Sequence, residues 1–205
     1  MVVIIDYGMG NLRSVVHKLF KAGIPATLSA RLEDIERAEK LILPGVGAFA
    51  AGMENLAAAG LIPMLQDKVL RKKTPIFGIC LGMQLFARSS EEGDVPGLGW
   101  IDGEVKRFRF AEGSPLRVPH VGWNGLRCRR ESPLLTGIAG DQRFYFTHSY
   151  HMQCQDNVNI IATTTYGYDF VSIVQHENIC GVQFHPEKSH RRGIEIVKNF
   201  VRYLQ

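Results

Sequence analysis

Two short segments carry residue types that can do covalent chemistry together. The first is GICLGMQ (78–84), where Cys80 follows an apolar run and precedes a helix-like stretch, with Gly78 and Gly82 two residues away on either side. A strand, a nucleophile and a helix in that order make an elbow, and its tight turn brings neighbouring backbone close, which favours glycine. The N-terminus of the following helix puts partial positive charge beside the thiol and favours the thiolate. The N–H of Leu81 then points to where an oxyanion would form. A buried structural cysteine accounts for the same segment equally well. The second segment is GVQFHPE (181–187), with His185 and Glu187 two apart. In an extended chain residues i and i+2 project to one side. One strand end can therefore offer a general base and the carboxylate that orients it. A lone histidine is more often structural, but an elbow cysteine with a downstream His-Pro-Glu favours nucleophilic catalysis.

Two further segments can serve such a site. LPGVGAF (43–49) follows a strand, and Gly45 and Gly47 give a backbone able to reorient a peptide. No Lys-Ser/Thr follows, so it is not a phosphate loop. Gln84 lies one helical turn after Cys80 and can face the same space.

These residues need a scaffold, and the periodicity supplies one. VVIID (2–6), ATL (26–28), KLILPG (40–45) and PIFGI (75–79) read as strands. Between them, residues 12–20, 33–39, 48–59, 61–72 and 81 to about 89 read as helices, the first with Asn11 as N-cap and ended by Gly23 and Pro25. That alternation predicts a doubly wound, mainly parallel α/β sheet, with its site at the C-terminal ends of the strands. After Trp100, short β segments predict an antiparallel extension: 104–108, 115–118, 144–150, 159–166, 170–175 and 179–184. PHVGWN (119–124) reads as an ordered turn with an aromatic anchor. A final helix presents Ile194, Val197, Val201 and Leu204.

Composition narrows the function. The 205 residues fit one domain, 1–205, and 45% are hydrophobic, enough for a sizeable core. The net charge is +4, with basic residues scattered and no aromatic-interleaved stripe, so nucleic acid is not an expected partner. No stretch has the length of a membrane span, and the N-terminus reads as a strand, not a signal peptide, so the expected location is cytoplasmic. Cys80, Cys128, Cys154 and Cys180 form no C-x-x-C pair. Neither a zinc site nor a disulfide framework is expected, and the last three are expected only to pack. The proposed chemistry calls for no cofactor and no metal.

The pairing of GICLGMQ with GVQFHPE resembles the triad-type (class I) glutamine amidotransferases, and the resemblance covers essentially the whole chain. It implies a Cys80–His185–Glu187 triad that hydrolyses the glutamine side-chain amide through a thioester. It implies oxyanion contacts from Val46, Gly47 and Leu81. Glutamine contacts follow at Gly45 and Gln84 and at His148, Ser149 and Tyr150, while Phe144 and Phe146 stay structural. Ammonia made for synthesis must travel unprotonated along a dry path, and this chain offers no acceptor site of its own. IDYGMGNLRSV (5–15), PHVGWN, FYFTHSY (144–150) and HPEKS (185–189) are similar to those family members that serve a (β/α)₈-barrel cyclase in histidine biosynthesis. That likeness implies a heterodimer with the cyclase near Asn11, Trp123 and Asn124, and an ammonia exit at Tyr145 and Lys188. Rival readings are a glutaminase subunit for vitamin B6, tryptophan/folate or purine synthesis, a cysteine peptidase on a similar scaffold, and a non-catalytic binding scaffold.

Overall fold

Every strand of the main sheet begins as a short apolar run, and the order in which these runs pair decides where the chemistry sits. The computed structural model describes residues 1–10, 12–138 and 140–204; the Asn11 positions expected above fall outside them. The first half contains β1 (Val2–Ile5), α1 (Leu12–Lys21), β2 (Ala26–Ser29), α2 (Leu32–Arg37), β3 (Lys40–Gly45), α3 (Phe49–Ala58), α4 (Leu61–Gln66), β4 (Ile76–Cys80) and α5 (Leu81–Gln84). The second half contains β5 (Ser89–Ser90), β6 (Val95–Pro96), β7 (Gly103–Arg107), β8 (His120–Gly125), β9 (Arg127–Cys128), β10 (Arg143–His148), β11 (Tyr150–Cys154), β12 (Ile160–Tyr166), β13 (Tyr168–His176), β14 (Ile179–Val182) and α6 (His190–Tyr203).

The main sheet has eight strands in the order β2-β1-β3-β4-β14-β13-β12-β9. The first five run parallel and the last three pair antiparallel, so the fold is α/β with a β extension, as expected. Alternation divides the core between the two faces. Val3, Ile5, Leu41 and Leu43 pack with Leu56, Leu61 and Leu65 from α3 and α4. Val2, Ile4, Ile42 and Phe77 pack with Leu12, Val15 and Leu19 of α1 and with Ile196 and Phe200 of α6. Among the described residues no helix is long and apolar enough to cross a membrane.

The last strand of the sheet lands beside β4 rather than at an edge. Val182 pairs with Ile79 in parallel register, so both chains leave the sheet at the same end. On the other side of β4, Gly45 pairs with Cys80. Three segments remote in sequence thus converge where β3, β4 and β14 end.

Five expectations change. The helix after Cys80 is one turn long, because the carbonyls of Leu85, Phe86, Ala87 and Arg88 are taken by the N–H groups of Leu98, Trp100, Ile101, Gly99 and Gly97. Residues 61–72 are α-helical only to Gln66 and then wind as a π-helix over Asp67–Arg71. PHVGWN is not a turn: His120–Gly125 forms β8, paired antiparallel with β10. Residues 115–118 form no strand and enter β8 through a cis Val118–Pro119 bond. In α6 the buried side is Gly193, Ile196, Val197, Asn199 and Phe200, with Ile194 and Val201 only partly covered and Leu204 buried just past the helix end.

The elbow closes by direct backbone contact. A Cβ on Gly82 would overlap the Leu43 carbonyl oxygen, and one on Gly78 would lie 2.6 Å from the Met83 nitrogen. Neither atom belongs to a flexible side chain, so neither can yield cheaply. Gly82→Ala is expected to cost at least ~2 kcal/mol of stability, read as a lower urea midpoint, whereas an unchanged midpoint would show that the elbow is looser than described.

Candidate active site

Cys80 ends β4 with φ +53° and ψ −109°, outside the regions L-residues ordinarily adopt. Such a conformation costs roughly 1–3 kcal/mol and persists only where the surroundings over-determine it. Here the neighbouring glycines and the Gly45 pairing do so. The thiol borders a cavity of about 270 Å³ lined also by Val46, Gly47, Leu81, Gln84 and the 147–150 segment. A larger groove of about 600 Å³, between Leu126, Leu135 and Ile138, shares no lining residue with it.

The chain after β14 supplies the base. His185 and Glu187 are both buried, and His185 Nδ1 lies 2.9 Å from Glu187 Oε1. A carboxylate on Nδ1 holds the proton there and turns Nε2 outward. That Nε2 is buried without a direct hydrogen bond and is within electrostatic reach of Cys80. Burial alone would lower the His185 pKa, but Cys80 and Glu187 together outweigh it and push it up to about 10. The arrangement therefore favours a charged imidazole beside the sulfur. The loop is stapled to β10. The His185 N–H donates to the Tyr145 carbonyl at 2.9 Å, and the Ser189 hydroxyl donates to the His185 carbonyl while accepting from the Tyr145 N–H.

Of the expected contacts, Val46, Gly47, Leu81, Gln84, His148, Ser149 and Tyr150 all line the cavity. Gly45 does not; it is packed under the elbow against Leu81 and Gly82. Gly47 has φ +118° and suits only glycine, and a Cβ there would meet Met9 Cε at 2.9 Å. The 7–10 turn therefore lies directly against the 45–47 turn. On the outer face Tyr145 pairs with Trp123 across the strands, Lys188 Nζ sits 5.6 Å over the Tyr145 ring, and Trp123 keeps 38% of its surface exposed. Of the other cysteines, Cys180 is buried and Cys154 partly so, and burial pushes the Cys154 thiol up to about 12 and raises Cys180 further; Cys128, expected only to pack, is exposed.

Three residues were missed. Gln183 is fully buried, and its Nε2 donates to Cys80 Sγ at 3.7 Å while its Oε1 accepts from Gln84 Nε2 at 3.0 Å. A lone glutamine in an apolar run, two before His185, was its only sequence signal. Gln84 Nε2 also donates to the Tyr150 carbonyl at 2.9 Å, so the group it can offer a ligand is its own carbonyl oxygen. Glu92 lines the cavity and accepts from the Phe49 N–H at 2.9 Å. Tyr7 lies beneath Gly45 with a buried hydroxyl that has no partner among the described residues, and burial and the Cys80 charge keep it protonated.

Over almost its whole length the chain is similar to known proteins. The family described as "Glutamine amidotransferase class-I" matches residues 3–204. The chain is 49% identical over 204 residues to the imidazole glycerol phosphate synthase subunit HisH 2 of Pseudomonas aeruginosa, covering all of both chains. It is 46% identical over 202 residues to the HisH 2 subunit of Methanococcus maripaludis, covering 98% of this chain and 99% of that one. A crystal structure of a glutamine amidotransferase superposes with a TM-score of 0.74 at 20% identity, covering 98% of each chain, which supports the fold.

The raised His185 pKa makes a signed prediction. Its contribution to stability is full below the ordinary value of 6.5 and is lost as pH rises through about 10. Glu187→Gln removes one of the two partners that raise it. Imidazole NMR is expected to show His185 titrating at lower pH in that variant, and the stability gap to wild type is expected to close as pH climbs through that window. An unmoved titration would mean that Glu187 does not hold the proton.

Proposed function

The chain belongs to the class-I glutamine amidotransferase family, and from that premise we propose that it is the glutaminase subunit of imidazole glycerol phosphate synthase. The reading is supported above all by the joint occurrence of a buried Cys80, His185 and Glu187 at adjoining strand ends and full-length likeness to subunits bearing that name. It is an enzyme of histidine biosynthesis that hydrolyses L-glutamine to glutamate and ammonia, and residues 1–205 act as one amidotransferase domain.

The chemistry follows from the charges at the site. The Cys80 thiolate attacks the glutamine side-chain carbonyl, and the oxyanion is met by N–H groups of Leu81 and of the Val46–Gly47 turn. His185 gives its Nε2 proton to the departing nitrogen; the C–N bond breaks and ammonia leaves a thioester on Cys80. Water then gives a proton to His185 and adds to the thioester, the C–S bond breaks, and glutamate is released with the thiolate restored. Glu187 keeps the imidazole oriented throughout. His148, Ser149 and Tyr150 hold the amino-acid end of glutamine.

The ammonia passes to a (β/α)₈-barrel cyclase subunit, which converts the phosphoribulosyl-formimino intermediate PRFAR to imidazole glycerol phosphate and AICAR in the cytoplasm. Trp123 and Asn124 face this partner, and ammonia leaves past Tyr145 and Lys188. The 45–47 turn, pressed against the 7–10 turn, regulates the oxyanion site: without a loaded partner its donor is turned away. Service to another synthase is the alternative.

Loss of one oxyanion donor costs ~10²–10³ in rate. Glutamate release by the chain alone is therefore expected to be weak, and to rise by ~10²-fold or more with a cyclase subunit and PRFAR. Full activity of the lone chain would remove the proposed switch, and no stimulation with Cys80 still reactive would move the protein to another synthase.

A further inference from the structure

A chain of polar groups, buried from His120 inward, runs from β8 to the nucleophile. Asn124 Nδ2 lies 2.9 Å from His120 Nε2, and His120 Nδ1 lies 3.1 Å from His148 Nε2. His148 Nδ1 lies 2.7 Å from the Tyr150 carbonyl, which also accepts from Gln84. Gln84 continues to Gln183, and Gln183 to Cys80. Both histidines are buried among aromatic rings. His120 stacks on Tyr166 and Phe146 at 4.1 and 5.1 Å, and His148 lies against Phe108 and Phe170 at 5.2 and 5.1 Å.

One atom fixes the direction of every link. A carbonyl can only accept, so His148 must carry its hydrogen on Nδ1. Burial lowers His148 to about 3 and His120 to about 4, so both rings are neutral at pH 7. A neutral His148 then has a bare Nε2, which only a donor can satisfy. His120 must therefore be protonated on Nδ1 as well, leaving its own Nε2 to accept from Asn124. The two rings are locked in one tautomer, and each bond depends on the next.

We propose that His120, which does not line the glutamine cavity, is a positioning residue for glutamine binding: by donating to His148 it fixes the ring that sets the Tyr150 carbonyl and, through it, Gln84. The inference rests on the amidotransferase reading, because His148, Tyr150 and Gln84 are there the residues that hold glutamine. Removing the His120 donor leaves a bare ring nitrogen buried and unpaired, at ~1–3 kcal/mol. Because His120 touches the binding segment and neither Cys80 nor His185, the loss falls on glutamine affinity and not on the reaction of the thiol.

The test uses the full chain, a diazoketone analogue of L-glutamine and imidazole ¹⁵N NMR. At pH 7 the wild type is expected to show both His120 and His148 as Nδ1–H tautomers; an Nε2–H form of either ring overturns the proposal. His120→Phe is expected to raise the half-saturating analogue concentration for Cys80 labelling ~10-fold or more, with the limiting rate nearly unchanged. His120→Asn, which keeps a donor near the Nδ1 position, is expected to recover most of that loss. Equal loss in both variants, or a loss confined to the limiting rate, overturns the positioning role. Absence of labelling in the wild type itself would overturn the amidotransferase reading beneath it, whatever the tautomers.

Discussion

Cys80 stands at φ +53° only because glycines allow the chain to close around it. With Gly82 against the Leu43 carbonyl and Gly78 against the Met83 nitrogen, β3, β4 and α5 approach at backbone distance. The strained turn stores roughly 1–3 kcal/mol, drawn from a sheet whose inner strands are fully buried on both faces. The same turn places the sulfur beyond the strand end, next to the segment that leaves β14. Remove the close approach and the thiol has no fixed relation to His185, to the 45–47 turn or to Gln183.

Electrostatics completes what packing begins. His185 sits between two groups that are negative when ionised, and both favour its charged form against the cost of burial. The opposite holds on β8 and β10, where His120 and His148 lie in an aromatic cage and burial keeps them neutral. One chain thus uses histidine in two ways. In the proposed mechanism a charged ring manages protons at the sulfur, and in the proposed positioning role a neutral pair with fixed donors and acceptors sets the shape of the binding segment.

Much of this was legible in the sequence for local reasons. The apolar runs at β1, β3 and β4 and the helical period of α1 are properties of contiguous residues, and the parallel sheet follows from their alternation. Cys80, His185 and Glu187 were legible because an elbow and an i, i+2 pair are short-range patterns. What was not legible depends on remote partners. The helix after Gln84 stops because residues 97–101 capture its carbonyls. PHVGWN becomes a strand because β10 pairs with it, and its glycine and proline read as a turn when taken alone. Gln183 and Tyr7 gain meaning only when β14 and β1 are set beside β3 and β4, and the His120–His148 bond joins two strands that no local pattern links.

The central claim is that Cys80 is the nucleophile that this elbow exists to present. The most direct measurement is acid-quenched mass spectrometry of the chain during turnover of L-glutamine with its cyclase partner. The account predicts a mass gain of one glutamyl group on the peptide carrying Cys80, absent in Cys80→Ala, which releases no glutamate. Glutamate release that persists in Cys80→Ala, or an adduct on Cys128, Cys154 or Cys180 instead, would contradict it.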